Sequence, residues 1–224
     1  MTVRVGVVQF PGTNCEQDAV WAFEQVGCTA DILWHQRNDL SGFDAVAIAG
    51  GFAHGDYLRT GAIAQFSPVM SAIAVAAQDG MPIIGICNGF QILCEAGLLP
   101  GALQKNAGLK FMCDVTPLRV ESTNSPLTAE LAVGDVANIP INHFEGNYTC
   151  DDATLAKLRA EDRVVLRYVD NPNGSRDDIA GICSEGRNVV GLMPHPERAA
   201  EAILGSADGA PMLRSVTAWL GARV

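Results

Sequence analysis

Aliphatic runs, broken at intervals by glycine and by residues at helical spacing, fill the first hundred positions of the chain. The β-branched run "VRVGVVQF" (3–10) predicts a strand, "NCEQDAVWAFEQVG" (14–27) has helical spacing ending at Gly27, and "ADILWH" (30–35) predicts a second strand. "FDAVAIAGG" (43–51) predicts a third strand closing on a glycine pair. "AIAQFSPVMSAIAVAAQDG" (62–80) predicts a helical stretch interrupted by Pro68, and "MPIIGIC" (81–87) a fourth strand with a helix starting near Asn88. Strands that are apolar at nearly every position and alternate with helices imply a parallel sheet covered on both faces. Beyond Gly97 the pattern shortens. "FMCDVTPLRVES", "VVLRYVD" and the pair "IAGICS" and "NVVGLM", joined by "EGR", predict shorter strands and a hairpin before a last helix from about Pro211 to Leu220. The expected whole is an α/β fold: an open, doubly wound, mostly parallel sheet with an antiparallel addition. In such sheets sites lie beyond the carboxyl ends of the parallel strands.

A chain of 224 residues with 48% hydrophobic content fits one domain, 1–224, because two smaller cores would bury less surface each. The formal net charge of −10, with no block of Lys or Arg, opposes the counterion release that drives nucleic-acid binding. No apolar run approaches the roughly 20 residues of a membrane span, and "MTVRVGVVQF" enters a strand pattern without a leader. The expectation is a cytoplasmic protein with neither nucleic acid nor membrane as partner. Seven dispersed cysteines without a C-x-x-C pair are expected to be free thiols.

One cysteine stands apart. In "PIIGICNGFQILCEAG", Cys87 sits between a buried strand and a helix with Gly85 and Gly89 two residues to either side. A sharp strand-to-helix turn needs such glycines, and G-x-C-x-G is a nucleophile elbow. The helix beginning near Asn88 aims its free N–H groups and its positive end at the sulfur, favouring thiolate and offering donors to an oxyanion. The plainer alternative is a small buried hydrophobe. A partner base decides between them, and "GLMPHPERA" supplies His195, between two prolines, with Glu197 on the same side of an extended segment to orient it. Gly50 and Gly51, closing the third strand, can supply a second oxyanion amide. Cys28, Cys94 and Cys113 fall in packing patterns, His35 and His54 read as packed or solvated, and His143 can line a pocket. No phosphate loop, dinucleotide fingerprint or cluster with metal-ligand spacing appears, so any nucleotide belongs to another chain.

The blocks "GVVQFPGTNCEQD", "AGGFAHGDYLRTGAIA", "GICNGFQIL", "NPNGS" with "IAGI", and "PHPER" span nearly the whole chain. With them the sequence resembles the class I (triad) glutamine amidotransferases, and among these the glutaminase subunits of phosphoribosylformylglycinamidine synthase. The resemblance implies a flavodoxin-like, class I glutamine amidotransferase fold. It implies that Cys87 attacks the side-chain amide of glutamine to give a γ-glutamyl thioester and ammonia, with His195 as acid and base and Glu197 orienting it. Gly51 and Asn88 then supply oxyanion amides with Phe52 beside them, Gln91 helps hold glutamine, and His143 contacts substrate. The ammonia is expected to reach a synthetase subunit, PurL, assisted by the small subunit PurS, for ATP-dependent conversion of formylglycinamide ribonucleotide in purine synthesis. The resemblance places ATP and Mg on that partner and no cofactor or metal in this chain. The loop "GFAHGDYLRTG" is the candidate switch, with Asp56, Tyr57 and Arg59 facing the partner. The competing readings are a Cys-elbow hydrolase or deglycase of similar fold and a non-catalytic scaffold.

Overall fold

A computed structural model describes residues 2–222, and each run of the amino-terminal half expected to be a strand is one there. Strand β1 (Arg4–Gln9), helix α1 (Glu16–Gln25) and strand β2 (Thr29–Trp34) make the opening β-α-β unit. Strand β3 (Ala45–Ile48), helix α2 (Pro68–Gln78) and strand β4 (Ile83–Ile86) make the second, and helix α3 (Asn88–Glu95) leaves β4 with Cys87 standing between them. Every residue of β3 and β4 is buried, as strands covered on both faces must be. Pro68 starts α2 rather than interrupting a longer helix. Its fixed φ suits a first turn and its missing N–H would be unpaired there in any case, while Ala64–Phe66 form a separate 3-10 turn.

The second half adds β5 (Ala102–Gln104), β6 (Met112–Val120), β7 (Val136–His143), β8 (Asn147–Thr149), helix α4 (Asp152–Ala160), β9 (Val164–Tyr168), β10 (Ile179–Cys183), β11 (Val189–Leu192) and helix α5 (Ala210–Gly221). Of these, β5, β7, β8 and α4 are absent from the sequence reading. The main sheet runs β2-β1-β3-β4-β11-β10-β9-β6-β7, and β5 pairs with β8 in a small second sheet. Strands β2, β1, β3, β4 and β11 pair in parallel; β10, β9, β6 and β7 continue antiparallel. The hairpin of β10 and β11 is therefore the seam, and its second strand enters beside β4 with Ile86 opposite Leu192.

From β1 the chain crosses to β2 on one side, and from β3 to β4 on the other. Right-handed crossovers in opposite directions place α1 and α2 on opposite faces, and the reversal between β1 and β3 opens a crevice at the carboxyl ends of the strands. The segments that follow β1, β3, β4 and β11 all meet at that end.

Candidate active site

Cys87 holds φ 51° and ψ −104°, a conformation that side-chain-bearing residues adopt only when their surroundings force it. The glycines around it are steric necessities. A Cβ on Gly89 would stand 2.1 Å from the Ile48 carbonyl oxygen, and one on Gly85 would stand 2.5 Å from Leu93 Cδ1 and 2.8 Å from the Gly89 backbone. Only without those carbons can α3 close down on β3 and β4. The Cys87 N–H donates to Leu192 O at 2.8 Å, tying the elbow to β11, and the His195 N–H donates to Pro140 O in β7 at 2.8 Å. Cys87 and the imidazole of His195 are thus both anchored through the backbone.

His195 and Glu197 are each about 1% exposed, and His195 Nδ1 donates to Glu197 Oε1 at 2.6 Å. The segment differs from the extended geometry expected of it: Pro196–Ala199 form a 3-10 turn, and that turn folds the carboxylate back under the ring. His195 Nε2 and Glu197 Oε2 have no hydrogen-bond partner among the described residues. Burial alone would push the His195 imidazolium down; Glu197, Cys87 and Cys15 outweigh it and hold the ring protonated well above the usual histidine range. A protonated imidazole facing a thiol and steered by a carboxylate can donate a proton to a leaving group and then reclaim one.

Two small cavities meet at Cys87. One, of about 240 Å³, is lined by Gly51, Asp56, Cys87, Gln91, His143 and Glu145 among others. Gly51 has φ 148°, and a Cβ there would stand 2.5 Å from Asn14 N, so only glycine lets the two loops approach. The Asn88 N–H opens α3 and has no carbonyl one turn earlier in that helix to meet. Phe52 stands beside Gly51 in the cavity wall. Its N–H donates to Gly12 O at 2.9 Å, so it is not an oxyanion donor, and it contributes a half-exposed ring to the cavity wall.

Gln91 differs from its expected role. Its Oε1 accepts from Asn88 Nδ2 at 2.8 Å and its Nε2 donates to Glu145 O at 2.6 Å, so the side chain braces the wall. Asn88 Oδ1 in turn accepts from the Ala53 N–H at 3.0 Å, locking the glycine-rich loop to α3. At His143 the network settles the tautomer. Asn106 Nδ2 donates to Lys110 O and His143 O, which leaves Asn106 Oδ1 to accept from His143 Nδ1 at 3.1 Å. His143 Nε2 is then a buried acceptor without a partner among the described residues. Burial, then the charge of His195, depress its pKa to about 4 and keep the ring neutral. Asp56, expected to face outward, lines this cavity instead, and burial followed by the repulsion of Glu145 raises its carboxyl to about 6.

The second cavity, of about 250 Å³, is lined by Cys15, Cys87, Asn142, His195 and Arg198 among others. Cys15, which the sequence reading did not single out, precedes α1 and is buried, and Arg198 Nη2 donates to its Sγ at 3.1 Å. Although no stretch of sequence has metal-ligand spacing, the fold brings Cys15 Sγ, a His195 nitrogen and a Glu197 oxygen within 4.8 Å of one another. Elsewhere Cys28 is packed and Cys94 half-buried, whereas Cys113 is exposed on β6, against the packing role expected of it. His35 and His54 pack against Phe10, and His35 Nδ1 pairs with Ser67 Oγ at 3.0 Å.

A family model, the CobB/CobQ-like glutamine amidotransferase domain, matches residues 2–220. Phosphoribosylformylglycinamidine synthase subunit PurQ of Rubrobacter xylanophilus is 58% identical over 222 residues, covering 99% of this chain and 100% of that protein. The subunit of the same name from Koribacter versatilis is 53% identical over 231 residues, with 99% and 100% covered. Among solved structures, a chain in the PurLQS structure from Thermotoga maritima superposes with a TM-score of 0.91 at 42% identity, covering 98% of this chain and 100% of that one. A glutamine amidotransferase from the same organism, 17% identical over 97% of each chain with a TM-score of 0.61, shares the fold.

Proposed function

The chain belongs to the CobB/CobQ-like glutamine amidotransferase family, and from that membership we infer how Cys87 and its neighbours perform the reaction. It serves as the glutamine amidotransferase subunit of phosphoribosylformylglycinamidine synthase, a multi-subunit enzyme of purine biosynthesis. The observation that carries the mechanism is the strained elbow at Cys87 set opposite the buried His195–Glu197 pair.

Cys87 Sγ attacks the side-chain carbonyl carbon of glutamine. The oxygen that becomes negative is received by the amides of Gly51 and Asn88, and each such donor is worth about 100 to 1000-fold in rate. His195 delivers its proton to the amide nitrogen, the carbon–nitrogen bond breaks, and ammonia leaves a γ-glutamyl thioester on Cys87. His195, now neutral, takes a proton from water; the hydroxide adds to the thioester, and glutamate departs as the sulfur is restored. Glu197 holds the ring in one tautomer throughout. Asp56 and Glu145 face the glutamine α-ammonium, and His143 Nε2 accepts a hydrogen bond from the substrate. Ammonia passes to the synthetase subunit, PurL, supported by PurS, where ATP and Mg are held; this chain has no phosphate loop to hold them.

Labelling with a glutamine-like diazo-oxo electrophile tests the assignment. One adduct is expected, on Cys87 by peptide mass, absent from Cys87→Ala and accompanied by loss of turnover. Equal labelling of Cys15 or the exposed Cys113 would sink it. A failure of glutamine to compete with the reagent would favour a hydrolase acting on another acyl group.

A further inference from the structure

The glutaminase reading uses Cys87, His195 and Glu197 and leaves a buried thiol and an arginine beside the same ring without a role. Cys15 is the residue before α1, where a serine, threonine, aspartate or asparagine side chain ordinarily accepts from the free N–H groups of the first turn, yet its sulfur makes no such cap. The backbone holds it in place: the Cys15 N–H donates to Gly50 O at 3.1 Å, and the Cys15 carbonyl accepts from the Ala19 N–H at 3.0 Å. The sulfur is turned toward the triad instead. Cys15 Sγ, a His195 nitrogen and a Glu197 oxygen lie within 4.8 Å of one another. A Cβ built on Gly50 would be 2.8 Å from His195 Cε1 and 3.3 Å from Cys15 Sγ, so ring and sulfur close over the end of β3 only because that position is glycine. Arg198 Nη2 donates to Cys15 Sγ at 3.1 Å, and Arg198 Nε reaches Asp18 Oδ2 on α1 at 3.4 Å.

We propose that Cys15 and Arg198 are positioning residues of the glutaminase: Arg198, steadied by Asp18, fixes the Cys15 sulfur against the His195–Glu197 pair, and the sulfur keeps the imidazole aimed at Cys87. The role rests on the glutaminase reading, whereas the contact itself does not. The bond from His195 Nδ1 to Glu197 Oε1 at 2.6 Å fixes one corner of the ring and leaves it free to swing about that corner. Nε2, the atom that must meet Cys87 and the leaving group, is buried with no hydrogen-bond partner among the described residues, so a neighbour packed beside the ring has to hold its direction. A sulfur that accepts from Arg198 also favours the charged form of that ring. The groups that face His195 are Glu197 on its own turn, Cys87 at the elbow, Cys15 ahead of α1 and His143 on β7. Burial opposes the imidazolium, and Glu197, Cys87 and Cys15 together outweigh it. The other charges on the elements packed against this turn are taken up elsewhere: Glu16 of α1 by Gln9 at 2.8 Å, and Arg214 of α5 by Glu130 at 2.9 Å. Loss of the Cys15 sulfur therefore both loosens the ring and lowers the pH at which it gives up its proton.

Two measurements test this, and one needs no turnover. In the purified chain carrying isotope-labelled histidine, the ring-nitrogen signals of His195, identified by their loss in His195→Gln, follow its protonation by NMR. Cys15→Ala should move that titration to lower pH by about half a pH unit or more, and with it the alkaline limb of kcat/KM for glutamine measured with the synthetase and its nucleotide. At neutral pH its kcat should fall by about tenfold with KM unchanged, as for a small misplacement of the ring. Cys15→Ser, whose hydroxyl still accepts from Arg198, should recover most of both. Arg198 is partly exposed, so Arg198→Ala trims the network without opening the core. It should lower kcat by a similar factor at unchanged KM and add little to Cys15→Ala, because both act through one sulfur. Circular dichroism and melting temperature establish that each variant is folded, and the Arg198→Ala arm decides the matter should Cys15→Ala fail to fold. A His195 titration that stays in place in folded Cys15→Ala, equal losses in Cys15→Ala and Cys15→Ser, or a wild-type kcat in Arg198→Ala would overturn the proposal. A titration that moves as expected in a chain that hydrolyses no glutamine even with the synthetase would uphold the contact and refute the glutaminase reading instead.

Discussion

A methyl group added at Gly50 would stand 2.8 Å from His195 Cε1 and 3.4 Å from Cys87 Cβ, closer to the ring than carbon atoms pack. Gly50→Ala should therefore displace the imidazole while leaving the far cavity intact. The expected result is a fall in kcat of about 100-fold with little change in KM for glutamine, as for a misplacement of about 1 Å. An unchanged kcat in a folded variant would count against the placement of the ring. Asp56 gives a pH-dependent counterpart. Its folded value of about 6 lies above the ordinary carboxyl value, so the fold bears no penalty when pH is below both. The penalty grows as pH rises toward about 6 and is fully present at neutral pH. Asp56→Asn should raise the melting temperature near pH 7 and much less near pH 3, while raising KM for glutamine; a gain independent of pH would dispose of the argument. Residues with a local signature were legible in the sequence: Cys87 through its two glycines, His195 through its two prolines, Glu197 through its spacing. Cys15, Asp56 and Glu145 carry no such mark, because what makes them part of the site is the approach of loops far apart in the chain. The engagement of the Phe52 N–H was not legible for the same reason, since the partner that occupies it is Gly12, forty residues away in sequence.

The loop between β3 and α2 is the element with the most backbone strain near the site: His54, Asp56 and Leu58 have φ of 56°, 54° and 72°. Among its fastenings are two to α3. Ala53 is bonded to Asn88 Oδ1, and Arg59 makes a two-pronged pair with Glu95 at the end of α3, at 2.7 and 2.5 Å. Arg59 itself is largely exposed, so Arg59→Ala should leave the melting temperature nearly unchanged yet weaken the response of glutaminase turnover to the synthetase. A large drop in stability with normal coupling would assign Arg59 to the fold instead. Elements differed in legibility for physical reasons. The strands β1, β3 and β4 announce themselves by aliphatic runs, whereas β7 alternates buried and exposed positions and carries Pro140, which an edge strand tolerates and an interior one does not. Helix α4 has a weak apolar face, and its clearest signal, Asp151 capping the Thr154 N–H at 2.7 Å, is a single residue. β5 and β8 are three residues each, too short for any period to show.

On the scale of the whole molecule, Phe52 and Phe111 are about half exposed at the rim of the second cavity, and Tyr57 and Leu58, on the loop that follows Phe52, are more exposed still. Such a rim suits coverage by a synthetase subunit. The isolated chain should accordingly release glutamate from glutamine slowly and gain rate when the synthetase and its nucleotide are added. Equal rates with and without the partner would remove any role for docking in catalysis. The doubly wound half of the sheet was legible as a class of fold, and the β10–β11 hairpin as a hairpin; that its second strand runs parallel to β4 was not, because the pairing joins residues 83–86 to 189–192. That late pairing also orders events on the ribosome. A growing chain displays the edge of β4, and with it Cys87, long before β11 and His195 emerge. Under the proposed mechanism such a chain has a nucleophile with no base and is expected to release no ammonia, and a chain cut short before β11 is expected to present a bare sheet edge open to aggregation.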